Sequence, residues 1–440
     1  MKTFLKFVAP VKDSTQSDTR RELYDRSVEL FDEQHYLEAL QTLLDYFNPE
    51  FRRKYGNADG TEFRIPHGSI IVDISITGER FSVSTDFLTL PEKNRVAMLR
   101  QIADMNINRL RLPHFVKDGD KLEIAYSCPL QETHPHKIYG VLSNICYIGD
   151  RYDDEFCTKF GAKRCYEPEV TPYPAETVDR IYAEIQSLGK AAQDAVKEYN
   201  GQRKFRCSWY VLFTFFYQLE YFASPQGQLA NDLDKICCDM DEEGLFAELV
   251  AKGSAYLEKL LAMSKEEIAA DLYYVDILVS PKRPSSLQNI QDNIKDDFDA
   301  ATAMMQESNF EPALLILAYR LYQAYAFNDM QNDLNAVIAN ALRKASEQAP
   351  NIAAEILWNA VNNIMEGDLT PDFEDIIADN PAAQAAVEQA GAAMQQALSS
   401  TDMQAVQQKM MEAMARGDMA EYMRLAGELQ QAVMKGMFNN

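Results

Sequence analysis

Alternation between residues 63 and 85 sets the strongest limit on what this chain can fold into. Ile70, Val72, Ile74 and Ile76 fall on one side of an extended segment, with Ser69, Asp73, Ser75 and Thr77 largely opposite. Phe81, Val83 and Thr85 resume the alternation after Gly78-Glu79. A two-residue loop there pairs Ile76 with Phe81 and Ile74 with Val83, and glycine in its first position suits a type II′ turn. Upstream, a His67-Gly68 loop sets Ile65 against Ile70 and Phe63 against Val72. All three strands then share one apolar face, which needs a covering layer.

A second hairpin is predicted over 109–128. Leu110, Leu112 and Val116 alternate, as do Leu122, Ile124 and Tyr126, and both sets are even-numbered. A three-residue loop, Asp118-Gly119-Asp120, pairs Leu112 with Tyr126 and restores a common face. In this register His114 lies on the apolar side opposite Ile124, while Arg109, Arg111 and Phe115 point away from it. The period is 3.6 over residues 20–47, and its centre, Gln34-His35-Tyr36-Leu37-Glu38-Ala39-Leu40, is where a turn between two helices is expected. A helix over 91–106 carries Val96, Leu99, Ile102 and Ala103 on one stripe, and a longer helix over 135–160 presents Ile138, Val141, Leu142, Ile145, Ile148, Tyr152 and Phe156. The order α-β-β-β-α-β-β-α predicts an antiparallel sheet roofed by helices, an α+β sandwich.

Several strings in this part resemble the YbjN-like family, whose fold is like that of type III secretion chaperones. They are Phe87-Leu88-x-Leu90-Pro91-Glu92-x-x-Arg95, then Leu99 and Asn106; Tyr126-x-x-Pro129-Leu130; Asp150-x-Tyr152-Asp153-Asp154-Glu155-Phe156; and Phe160-Gly161-Ala162. The resemblance covers 18–165. It implies a non-enzymatic role, binding another polypeptide or regulating one, and brings no catalytic residues with it.

Glu167-Pro168-Glu169-Val170-Thr171-Pro172-Tyr173-Pro174 is punctuated by proline and reads as a linker, 166–174. Beyond it the reading is helical: one domain over 175–280, a second over 285–380 after Pro281 and Pro284, and a tail over 381–440 rich in Ala, Gln and Met. Helices are expected near 175–198, 204–222, 228–240, 243–262, 264–279, 286–307, 311–328, 330–348 and 350–365. The run Phe205–Phe222 holds nine aromatic residues and reads as the centre of a helical core. Phe31-x-Glu33-x-x-Tyr36-x-x-Ala39-Leu40 is echoed at a constant offset by Met305-x-Glu307-x-x-Phe310-x-x-Ala313-Leu314. Both strings are similar to the middle of a tetratricopeptide-type helix pair, and the offset is too long for a repeat array. In the tail, Met410, Met414, Leu425, Leu429 and Val433 form apolar stripes suited to packing or to an adaptable binding surface.

Charge narrows the partners. The chain of 440 residues has 43 basic and 67 acidic side chains and a formal net charge of -24. Residues 1–165 carry 23 basic and 25 acidic side chains, whereas 166–440 carry 20 and 42. Nucleic acid and an anionic membrane surface are therefore not the expected partners. Lys6 and Pro10 interrupt any secretory h-region, and the odd number of cysteines, seven, fits reduced thiols in a cytoplasmic protein.

Chemistry-bearing groups are sparse. Cys128, His134 and His136 have zinc-ligand residue types, yet the spacing supplies neither a fourth ligand nor a frame, so no metal and no cofactor are expected. Asp150, Asp153, Asp154 and Glu155 share a helix with Arg151 and read as a solvated face. No P-loop, G-x-S-x-G, H-E-x-x-H or G-x-G-x-x-G string occurs. The expected function is non-enzymatic polypeptide binding, chaperone-like or regulatory, through Arg109, Arg111 and Phe115. The alternative is a helical scaffold whose carboxyl-terminal half binds partners while the sheet domain forms a homodimer. A metal-dependent hydrolase using the His/Cys loop is the remote third.

Overall fold

Three short alternating segments and two more after a helix form one antiparallel sheet, as the apolar spacing requires. The structure, a computed structural model, describes residues 5–12, 21–167 and 170–370. Residues 18–20 of the first proposed domain, Pro168 and Glu169 of the linker, 371–380 and the whole 381–440 tail with its methionine stripes lie outside the described residues.

Helices α1 (Arg21–Asp32), α2 (Tyr36–Phe47) and α3 (Phe51–Tyr55) lead into β1 (Glu62–His67), β2 (Ile70–Thr77) and β3 (Arg80–Thr89). Then come α4 (Arg95–Asn108), β4 (His114–Asp118), β5 (Lys121–Pro129), α5 (Pro135–Phe160) and the short β6 (Lys163–Arg164). The sheet order is β1-β2-β3-β5-β4, with β6 added beside the end of β3. Phe63, Ile65, Val72, Ile74, Phe81, Val83 and Ile124 are buried in one cluster with Leu40 and Leu43 of α2 and Ile138, Val141 and Ile145 of α5. The α+β class and the element order are therefore as the periodicity required, with the segment before β1 divided into three helices.

The hairpin loops set which face of each strand points inward. Each closes with two residues, glycine first at positive φ: Gly68 at 54°, Gly78 at 61° and Gly119 at 57°. At 78–79 the expected register holds. At the first hairpin the loop is Gly68-Ser69, so Ile65 meets Val72 and Phe63 meets Ile74. That slip moves both strands one place and leaves the inner face unchanged. At the last hairpin the loop is Gly119-Asp120, and Phe115 meets Ile124 while His114 meets Ala125. The shift is odd, so the face inverts. Phe115 is buried, its ring 5.4 Å from that of Phe87, and His114 is exposed. The inference that Phe115 points outward is corrected. Leu112, expected in the strand, precedes it and is half exposed.

Helix α4 is also rotated from its expected frame. It starts at Arg95 after Asn94 in the left-handed region and buries Met98, Ile102 and Met105. Val96 and Ala103, expected inside, lie outside.

The remaining helices are α6 (Ala175–Gly201), α7 (Phe205–Ala223), α8 (Gly227–Met240), α9 (Phe246–Ala262), α10 (Lys265–Ala269), α11 (Leu287–Gln306), α12 (Phe310–Phe327), α13 (Asn332–Ala345) and α14 (Pro350–Glu366). They share one apolar cluster, which Leu5 and Val8 also enter. α7 and α12 are apolar around most of their circumference and sit at its centre, as such helices must. The helix expected over 264–279 ends at Ala269. The chain beyond it is a strap: Thr171-Pro172 pairs with Tyr273-Tyr274, and Leu278 and Val279 are buried in the sheet-side cluster.

The echo between residues 31–40 and 305–314 is a shared turn. Gln34 and Ser308 are left-handed, at φ 66° and 61°. His35 donates its N–H to the Leu30 carbonyl, and Asn309 donates to that of Met304, both at 2.8 Å. Ala39 and Ala313, one turn later, are fully buried. A third copy joins α6 to α7: Arg203 is left-handed at φ 59°, Lys204 donates to the Tyr199 carbonyl at 2.9 Å, and buried Ser208 stands where the others have alanine.

Candidate functional site

Arg109 and Arg111 follow α4 and are both exposed. Asn144 of α5 holds the backbone between them: its Oδ1 accepts from the Arg111 N–H at 3.0 Å and its Nδ2 donates to the Arg109 carbonyl at 3.3 Å. Val96, Ile107 and Leu112 of the same segment are 64%, 80% and 48% exposed. Phe115 takes no part in this surface. Its N–H donates to Asn106 Oδ1 at 2.8 Å, which occupies a donor on the outer edge of β4.

The histidine and cysteine loop is an aromatic arrangement. His134 and His136 stack with ring centroids 5.2 Å apart, His134 sits edge-on to Phe31 at 5.0 Å, and the His136 ring nitrogen bonds the Tyr24 hydroxyl. Cys128 is buried in β5 opposite Phe81. Among the described residues no three His, Cys, Asp or Glu side chains are grouped to hold a metal ion.

Two carboxylates of the acidic run of α5, Asp150 and Asp153, form a junction inside the fold, which corrects their reading as part of a solvated face; Glu155 is exposed, as that reading expected. Asp150 Oδ1 accepts from the Ser69 N–H at 2.6 Å in the β1–β2 loop. Asp153 is buried and pairs with Arg164 Nε at 2.6 Å, and Arg164 also reaches Asp154. Burial pushes both Asp150 and Asp153 above the usual carboxylate range, against the opposing pull of their hydrogen bonds. Next to them Gly68 donates its N–H to the Asp276 carbonyl at 3.0 Å, so the loop is fixed to the strap as well.

A cleft of about 550 Å³ opens in the helical half between α7, α9, α11 and α12. Its location follows from spacing. Arg206, Trp209, Tyr210 and Phe213 recur at i, i+3, i+4 and i+7, so they share a side of α7, and the side chains nearest the helix start reach the surface. Tyr319, Arg320 and Gln323 come from α12, Phe246 from α9 and Asp297 from α11. The rings form a connected wall: Trp209 lies 5.3 Å from Tyr210, 5.9 Å from Phe246 and 5.3 Å from Tyr319. Trp209 Nε1 donates to the Met240 carbonyl at 2.9 Å, which ties the loop Asp241-Glu242-Glu243-Gly244 to the rim.

Hydrogen bonds set the orientation of these groups. Gln323 Nε2 donates to the Tyr319 hydroxyl at 2.8 Å, and Arg320 bonds both Gln323 and Asp297. Burial raises the Tyr319 and Tyr210 hydroxyl pKa values, with Asp297 adding to both and Asp241 to the first. Both tyrosines therefore stay neutral and keep their O–H donors. The apolar run 205–222 is core along most of its length, but one end is open, and the arginine three residues before a tryptophan at the helix start marks that end.

No protein-family model, no curated protein and no solved structure matches the chain.

Proposed function

We propose that the protein is a non-enzymatic polypeptide-binding protein, chaperone-like or regulatory, that receives its partner in the cleft of the helical half. The supporting observation is the cleft itself: four aromatic rings, two arginines and four carboxylates around one opening. Aromatic and arginine side chains in a partly desolvated recess are the usual anchors of peptide contacts. The resemblance of 18–165 to YbjN-like proteins points to the same class. All seven cysteines are free, in keeping with a reducing cytoplasm, and among the described residues no helix is long and apolar enough to cross a membrane. A peptide library passed over the full-length protein tests the reading. Saturable binding that is lost in Phe246→Ala supports it; binding indifferent to Phe246→Ala and Gln323→Ala, or none at all, overturns it.

A second reading concerns the sheet half. Ile107 and Leu112 are exposed apolar side chains on either side of Arg109 and Arg111 in the segment that leaves α4, and a homodimer through this segment would cover them. Sedimentation of the full chain against Ile107→Lys is the test. A dimer that becomes a monomer supports the segment as the interface, and a monomer in both removes it.

A further inference from the structure

We infer that the cleft selects a cationic side chain, the ammonium or guanidinium of a lysine or arginine in the bound polypeptide. The inference rests on the polypeptide reading and specifies its chemistry.

Three observations carry it. First, the rings already accept cations. The Arg206 guanidinium lies 5.6 Å from the Tyr210 centroid and 5.9 Å from that of Phe246, and the Arg320 guanidinium lies 5.2 Å from that of Tyr319. Ring faces attract positive charge through their quadrupole, more strongly where water is partly excluded.

Second, the charges at the opening do not balance. Asp297 is taken by Arg320, and Glu242 pairs with Lys252 at 2.8 Å. Asp241 and Glu243 have no ion-pair partner among the described residues, and Arg206 is the only other charged residue of the lining. Two uncommitted carboxylates against one guanidinium favour an incoming cation and oppose a phosphate or carboxylate.

Third, the size fits. About 550 Å³ holds a long side chain with the peptide backbone on either side. A free organic cation such as spermidine shares the ammonium chemistry and lacks the backbone.

Arg206 then acts as an internal competitor. It is exposed and held between Tyr210 and Phe246 with one hydrogen bond, from its Nε to the Tyr210 hydroxyl at 3.2 Å. An incoming cation displaces it, so its removal helps binding.

The test uses full-length protein carrying Trp358→Phe, which leaves Trp209 as the sole tryptophan reporter. Four capped dodecapeptides that differ only in a central Lys, Arg, Gln or Glu are titrated at one ionic strength, with spermidine in a parallel arm. The Lys and Arg peptides should bind about tenfold more tightly than the Gln peptide. Asp241→Asn with Glu243→Gln should erase that preference, and Arg206→Ala should strengthen Lys binding about threefold. The opposite signs of these variants, at unchanged thermal midpoints, separate recognition from misfolding. Equal or tighter binding of the Gln or Glu peptide overturns the cation inference and leaves polypeptide binding standing. Spermidine binding without any peptide binding, or no binding at all, overturns both.

Discussion

His67 Nδ1 accepts a hydrogen bond from the backbone N–H of Leu278 at 3.0 Å. The ring is buried at the end of β1, and the amide belongs to the strap that follows the α10 helix. One side chain thus joins residues more than two hundred positions apart, and it does so only while Nδ1 is unprotonated.

The pH dependence follows. Burial lowers the His67 pKa to about 4, below the ordinary 6.5. A lowered histidine contributes stability that is complete above the unfolded pKa, and that declines as pH falls from 6.5 through about 4. The full amount is about 3 kcal/mol. Asp150 and Asp153, raised by burial, act with the opposite sign in acid. The difference between wild type and His67→Asn isolates the histidine: their urea midpoints should converge as pH drops from 7 to 4.

The inverted hairpin face gives a sharp contrast. Phe115→Ala removes a buried ring packed on Phe87 and should cost about 3 kcal/mol. His114→Ala, one position away on the exposed face, should change stability by under about 0.5 kcal/mol. Equal effects in chemical denaturation contradict the observed register.

Arg164 is the partner of a buried carboxylate. Arg164→Ala leaves Asp153 unpaired and should destabilise by about 3 kcal/mol. Adding Asp153→Asn should restore a large part of the loss, because the burial cost of the charge is then removed. A double-mutant cycle by thermal unfolding measures the coupling.

The helix-pair turn offers a gain. Gln34→Gly and Ser308→Gly relieve left-handed backbone without loss of a side-chain contact in the turn, and each should add about 0.5–1 kcal/mol. Ala313→Leu, at the buried position one turn on, should cost about 1–3 kcal/mol by overpacking. Melting temperatures of the three variants check both signs.

The fold was legible where local chemistry agrees with tertiary demand. α5 begins with proline at its first position and ends at Gly161 in the left-handed region, and the predicted bounds 135–160 are its actual ones. The β2–β3 register followed from parity and one glycine. Applying that same glycine rule to Gly119 yields the true β4–β5 face; the even-numbered leucines favoured the wrong one because Leu112 lies before the strand. The end of α10 had no local marker. Ser264 and Glu267 form a visible capping box at its start, yet Ala269 and Ala270 are good helix formers, and only the pairing of Tyr273-Tyr274 with Thr171-Pro172 redirects the chain. The cleft was illegible for a related reason: residues 206–210, 241–246, 297 and 319–323 meet only after four helices have packed. The buried state of Asp150 and Asp153 likewise depended on the loop at Ser69, which nothing in α5 announces.

Leu278 and Val279 complete an apolar layer whose other members, among the described residues, all precede residue 163. During synthesis, the ribosome has therefore finished the whole sandwich, and more than a hundred residues beyond it, before the last two side chains arrive. Until then the nascent amino-terminal half carries an uncovered greasy patch and an unsatisfied ring nitrogen at its rim. A gene truncated just after the sandwich should yield a product that clumps, and supplying residues 270–284 as a separate peptide should rescue its solubility.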